Sequence, residues 1–132
     1  MISTLIQGGD KMPITFDNER PIYLQIVEKL KVDILSGTYK QGEKLPSVRD
    51  LAKEYQVNPN TMQRAFNELE DSGLVYTERG NGRFVSGEQS NMLMIKEQLA
   101  KARIEEFMNY MYSLDLTTDE IIHMIKRKEE TL

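Results

Sequence analysis

Asn60, Arg64 and Asn67 follow one another at spacings of four and three residues, with Thr61 and Gln63 beside them. On a helix of about 3.6 residues per turn they project away from Met62, Phe66 and Leu69, which repeat at the spacing of an inward face. The outward side of the first two turns therefore carries amides, a hydroxyl and a guanidinium, and no acid. Acids return only at Glu68, Glu70 and Asp71. Amide and guanidinium groups pair with adenine and guanine edges in the major groove. A recognition helix enters that groove by its N-terminal half. Arg49, Lys53 and Asn58 precede this helix in positions expected to face the same duplex. Downstream, Arg79 and Arg83 bracket Gly80, Asn81 and Gly82. Such a narrow, glycine-rich tip can track a phosphate backbone or enter the minor groove. These residues together are the candidate DNA contacts.

Other chemistry finds little support. The 132 residues include no cysteine and one histidine, His123. Disulfides, thiolate metal sites, cysteine nucleophiles and a multi-histidine metal centre within one chain are thereby excluded. No helix is expected after the Gly-x-Gly of residues 80–82, so a nucleotide phosphate loop is not expected there. No paired carboxylates mark a cleft. Neither an enzyme nor a cofactor is expected. Apolar residues make up 39% and charged residues 29%, an ordinary globular balance for one domain with an appendage. No apolar run approaches the ~20 residues that span a bilayer, and the first residues lack the basic start of a secretion signal. A cytoplasmic protein without membrane contact is the expectation. The net charge of −4 would by itself argue against nucleic acid. Its distribution argues otherwise, because residues 17–87 hold ten Lys/Arg and eleven Asp/Glu, whereas the tail after Gly87 holds six and nine. The expected footprint is a basic stripe on a near-neutral domain.

The elements that would position these groups can be read in order. Pro21 suits a first helical position, and Tyr23, Ile26, Val27, Leu30 and Ile34 give the helix after it one apolar face, ended by Ser36-Gly37. Residues 38–46 read as a turn-rich connection. Ser47, with Asp50 three residues on, caps a second helix of barely two turns. Gln56-Val57 interrupts it, and Asn58-Pro59 restarts a third helix, with Asn as cap and Pro in the first turn. At Leu74 the period changes. Residues 74–86 read as a two-stranded hairpin, its Asn81-Gly82 pair suggesting a type I′ turn with positive φ at both residues. Residues 86–90 are small and polar, a candidate hinge. A long helix follows, then a shorter one capped by Thr117 and Glu120 and closed by Lys126-Arg127-Lys128. The expected fold is mostly α with a small β-hairpin: a flexible N-terminal arm over 1–16, a winged helix-turn-helix DNA-binding domain over 17–87, and a two-helix dimerisation tail over 88–132.

Several stretches also resemble the DNA-binding domain of the bacterial GntR family. They are Leu45-Pro46-Ser47-Val48-Arg49-Asp50-Leu51-Ala52; Val57-Asn58-Pro59-Asn60-Thr61-Met62-Gln63-Arg64-Ala65-Phe66; Leu69-Glu70-Asp71-Ser72-Gly73-Leu74; and Arg79-Gly80-Asn81-Gly82-Arg83-Phe84-Val85. The opening Pro21-Ile22-Tyr23-Leu24-Gln25-Ile26 is similar too. The Asn-Pro-Asn-Thr entry and the short tail resemble the YtrA subfamily, since larger subfamilies append a domain for which 45 residues are too few. Many family members carry arginine where this chain has Pro59 and Gln63. The resemblance implies a transcription regulator, a repressor of a transporter operon, with Arg49 and Arg64 matching family arginines.

The tail supplies a reason to pair. Ala100, Ile104, Phe107, Met111 and Leu114 repeat with strict 4-3-4-3 spacing, Leu99 and Met108 widen the stripe, and Ile121, Ile122 and Ile125 add a second apolar face. These residues are the candidate homodimer contacts, and a dimer would read a palindromic operator. A small-molecule site among the tail methionines is the lesser expectation, and no effector is named by the residues. The competing function is a winged helix that docks protein without sequence-specific DNA binding. Surface arginines are most often merely solvated, but the acid-free face and the arginines about the hairpin favour DNA.

Overall fold

The apolar spacing after Pro21 forms α1, Ile22–Leu35, in the computed structural model, which describes residues 15–130. Pro21 is the residue just before the helix, one place earlier than its spacing suggested. Ile26, Leu30 and Ile34 are buried along the inward face. Gly37 follows the helix at φ +88°, where a side chain would be strained. Most of the arm, residues 1–14, lies outside the described residues. From Asp17 onward, past the arm, the segment before α1 is fastened by a side chain that periodicity did not single out. The buried Gln25 accepts from the Asp17 N–H at 2.9 Å and donates to the Arg20 carbonyl at 2.9 Å.

α2, Val48–Tyr55, and α3, Pro59–Asp71, start as their cap residues dictate. The Asp50 N–H donates to Ser47 Oγ at 3.0 Å, and the Asn60 N–H donates to Asn58 Oδ1 at 2.7 Å. Between them Gln56 takes a left-handed backbone, φ 56°, which turns the chain sharply enough for α2 and α3 to pack. α1 and α2 both lie against α3, whose Met62, Ala65, Phe66 and Leu69 are buried.

The hairpin comprises β1, Val75–Glu78, and β2, Gly82–Val85, antiparallel with Val75 opposite Val85 and Glu78 opposite Gly82. Its turn is not the type I′ turn expected from Asn81-Gly82. The Asn81 N–H donates to the Glu78 carbonyl at 2.9 Å, which centres the turn on Arg79-Gly80. Gly80 has φ +84° and Gly82 φ +109°, whereas Asn81 is not among the residues of positive φ. Two glycines absorb the unusual backbone, so the asparagine between them need not. Leu74, Val75 and Val85 bury the base of the hairpin in the core.

The connection before α2 is more than turns. The Leu45 N–H donates to the Arg83 carbonyl at 2.8 Å, the Val85 N–H to the Glu43 carbonyl at 2.9 Å, and Lys44 stands opposite Phe84. This short stretch pairs with the free edge of β2 as a strand would.

The chain divides into two compact units after Met92. The boundary falls within α4, Gln89–Ser113, which begins inside the polar stretch 86–90. α5, Thr118–Glu130, follows after Asp115 at φ 64°. Its capping box forms in both directions: the Glu120 N–H donates to Thr117 Oγ1 at 3.1 Å, and the Thr117 N–H donates to Glu120 Oε1 at 2.9 Å. Among the described residues no helix is long and apolar enough to cross a membrane.

Candidate nucleic-acid interface

α3 presents Asn60, Arg64 and Asn67 to solvent, with Thr61 and Gln63 half-buried beside them. No acid stands in its first turn, so nothing there repels phosphate. Arg49 and Lys53 are exposed on α2, and Arg79, Gly80, Asn81 and Gly82 are exposed at the hairpin tip. A cleft of about 470 Å³ lies between α3, the start of α2 and the hairpin. It brings Arg49, Gln63, Gly80, Asn81, Gly82 and Arg83 together along one wall or another. Lys53, Asn60, Arg64 and Asn67 are not part of that lining.

Individual side chains are more constrained than their exposure suggests. Asn58 Oδ1 is occupied by the cap of α3, which leaves its amide N–H groups for other partners. Gln63 Nε2 donates to Asn67 Oδ1 at 2.9 Å, one turn on, so these two amides are oriented as a pair. Arg83 is half-buried, with its guanidinium carbon 5.2 Å from the centre of the Phe66 ring. Arg64, though exposed, has its guanidinium carbon 3.8 Å from the centre of the Tyr23 ring on α1.

Lys44 was not among the expected contacts. It lines the cleft, and a side chain built on Gly82 would meet its Cε at 2.9 Å. Only the pairing with β2 places it there, and nothing in its local sequence signals a strand. It is the positive φ that favours glycine at position 82, since the end of the flexible Lys44 side chain can swing aside.

In the second unit the expected contacts separate. Ala100, Ile104, Phe107, Leu114, Ile122 and Ile125 are exposed, Leu99, Met108 and Met111 are half-buried, and Ile121 is fully buried. Ile121 thus serves packing within the chain. Phe107, Met111, Met124 and Ile125 line an apolar groove of about 760 Å³ edged by Arg127 and Lys128.

Residues 22–85, the stretch from the start of α1 to the end of β2, match the model of the family described as bacterial regulatory proteins, gntR family. The uncharacterized HTH-type transcriptional regulator YhcF of Bacillus subtilis (strain 168) is 38% identical over 84% of this chain and 92% of its own length. The HTH-type transcriptional repressor YtrA of the same organism is 44% identical over 64% of this chain and 70% of its own. The chain belongs to the GntR family. Among solved structures, a GntR family transcriptional regulator from Listeria monocytogenes superposes with a TM-score of 0.79 at 39% identity, covering 85% of this chain and 98% of that one. The DNA-binding domain of AraR, solved in complex with operator ORX1, superposes with a TM-score of 0.53 at 26% identity, covering 58% and 99%. The GntR assignment makes the chain a transcriptional regulator and not an enzyme, with the helix-turn-helix and hairpin as its DNA-binding domain. The family match ends at Val85, so α4 and α5 lie beyond it.

Proposed function

We propose that this GntR-family regulator is a cytoplasmic repressor that binds a palindromic operator as a homodimer, and that it controls a transporter operon. The observation that carries DNA binding is the acid-free outer side of the first two turns of α3, beside the cleft that gathers Arg49, Gln63 and the hairpin tip. Asn60 and Arg64 read base edges from the first two turns of α3. Arg49 and Arg79 contact phosphates on either side. The name of the relative YtrA, a repressor, and the operator complex of the AraR domain support this reading. A single winged helix reads a short half-site, too little information to find one operator in a genome. Two copies about a twofold axis double the site. The exposed apolar face of α4 and α5 supplies the pairing surface, and roughly 800 Å² per subunit would make a standard interface.

The reading is tested by titrating the purified chain into the duplex it selects from a randomised pool, across a salt series. Tight binding that falls steeply with salt, and only for a duplex with an inverted repeat, is expected. A chain that binds no duplex, or binds every duplex alike, overturns sequence-specific operator recognition.

A further inference from the structure

Tyr23 lies on α1, outside every stretch that the residue types assigned to DNA contact. Its ring nevertheless seats the only Lys or Arg of the recognition helix, Arg64, at 3.8 Å. That is well inside the ~6 Å over which a cation is attracted to a ring face. The seat is itself fixed. Tyr23 is half-buried, and the next turn of α1 buries Gln25, Ile26 and Val27. Gln25 in turn holds the Asp17 and Arg20 backbone, which ties the start of α1 down. Two other arginines are steered by acids instead: Arg20 by Asp17 and Glu28, Arg103 by Glu106. An acid beside Arg64 would neutralise the charge that DNA needs and occupy its N–H donors. An aromatic ring holds the cation through its face and leaves those donors for a phosphate or a guanine edge.

We propose that Tyr23 is a positioning residue for DNA recognition: by holding the Arg64 guanidinium in place before the duplex arrives, it sets where that cation lands. The idea rests on the operator-binding reading above. A free arginine surrenders considerable rotamer freedom on binding, and a seated one surrenders less. Tyr23 therefore acts on the duplex only through Arg64.

A double-mutant cycle on the full chain tests this, with the duplex that the wild type recovers from a randomised pool as probe. Tyr23→Leu weakens binding roughly three- to tenfold. Tyr23→Phe, which keeps the ring, stays within about twofold. In the Arg64→Ala background, Tyr23→Leu adds no further loss. Across a panel of single-base operator variants, Tyr23→Leu relaxes discrimination at the same base pair as Arg64→Ala and at no other, a readout that loosened packing of α1 would not reproduce. Thermal melts accompany every variant, and Tyr23→Met, with similar apolar bulk and no ring, stands in if Tyr23→Leu does not fold. Equal losses with and without Arg64, or full affinity without the ring, overturn the proposal. A wild type that selects no duplex overturns the operator reading, whereas selection by the wild type with additive losses overturns the role of Tyr23 alone.

Discussion

Arg64 and Arg83, two arginines of the candidate interface, stand in different surroundings. Arg64 is exposed and has its guanidinium over Tyr23; Arg83 is half-buried and has its guanidinium beside Phe66, a core residue. Arg64→Ala is expected to cost ~1–3 kcal/mol of specific binding and to relax base preference. Titration against the operator and its single-base variants checks both. Arg49→Ala and Arg79→Ala should instead weaken binding to many sequences and flatten the dependence of log affinity on log salt by about one unit per lost phosphate contact. Arg83→Ala should flatten the slope and also lower the thermal midpoint, because it removes a side chain packed on Phe66. A midpoint equal to that of the Arg79 variant would remove this packing role.

At the scale of elements, the helix starts carry much of the order. Asn58 stands in the candidate interface, but its Oδ1 caps α3. Asn58→Ala is therefore expected to cost ~1 kcal/mol of stability in chemical denaturation even without DNA. An unchanged denaturation midpoint would show that the cap is dispensable. The capping box of α5 has a pH signature. The Thr117 N–H and hydroxyl hold the Glu120 carboxyl below its ordinary value of 4.5. A carboxyl whose folded pKa is depressed contributes stability that is complete above the unfolded value and disappears as pH falls through the folded one. The melting midpoints of wild type and Glu120→Gln should thus differ at neutral pH and converge in acid below the ordinary glutamate range. A difference that persists undiminished there would rule out the carboxylate as its source.

At the scale of the whole molecule, the apolar side chains of α4 and α5 face two ways. Ile121 is wholly buried, while Ile104 is 60% and Phe107 43% exposed. Phe107 also lines the apolar groove with Met111, Met124 and Ile125. Phe107→Asp would place an uncompensated charge in a pairing surface centred there. It should yield monomers in sedimentation and weaker operator binding with every DNA-facing residue intact. A chain ending at Met92, where the first compact unit ends, should sediment as a monomer. A monomeric full-length chain, or a shortened one that still dimerises and binds the palindrome equally well, would overturn assembly through the second unit.

Local chemistry was legible in the sequence because its causes are local. Periodicity placed the five helices, Ser47, Asn58 and Thr117 announced three of their starts, and the acid-free outward side of the first two turns of α3 followed from helical geometry alone. Arrangements that join distant segments were decided by tertiary structure. Lys44 reaches the cleft only because residues 42–45 pair with β2, a pairing concealed by the glycine and proline around it. The turn at Gly80 differs from the one that Asn81-Gly82 suggested because strand register, with Glu78 opposite Gly82, fixes which residues must bend. Tyr23 read as part of the apolar face of α1, and its meeting with Arg64 depends on how α1 lies across α3. The spacing of Ile121, Ile122 and Ile125 marked an apolar face, yet only packing against the rest of the chain determines which of them is spent within it. Residue spacing specifies which side of an element a group occupies; what stands opposite that side is set by the packing of elements far apart in the chain.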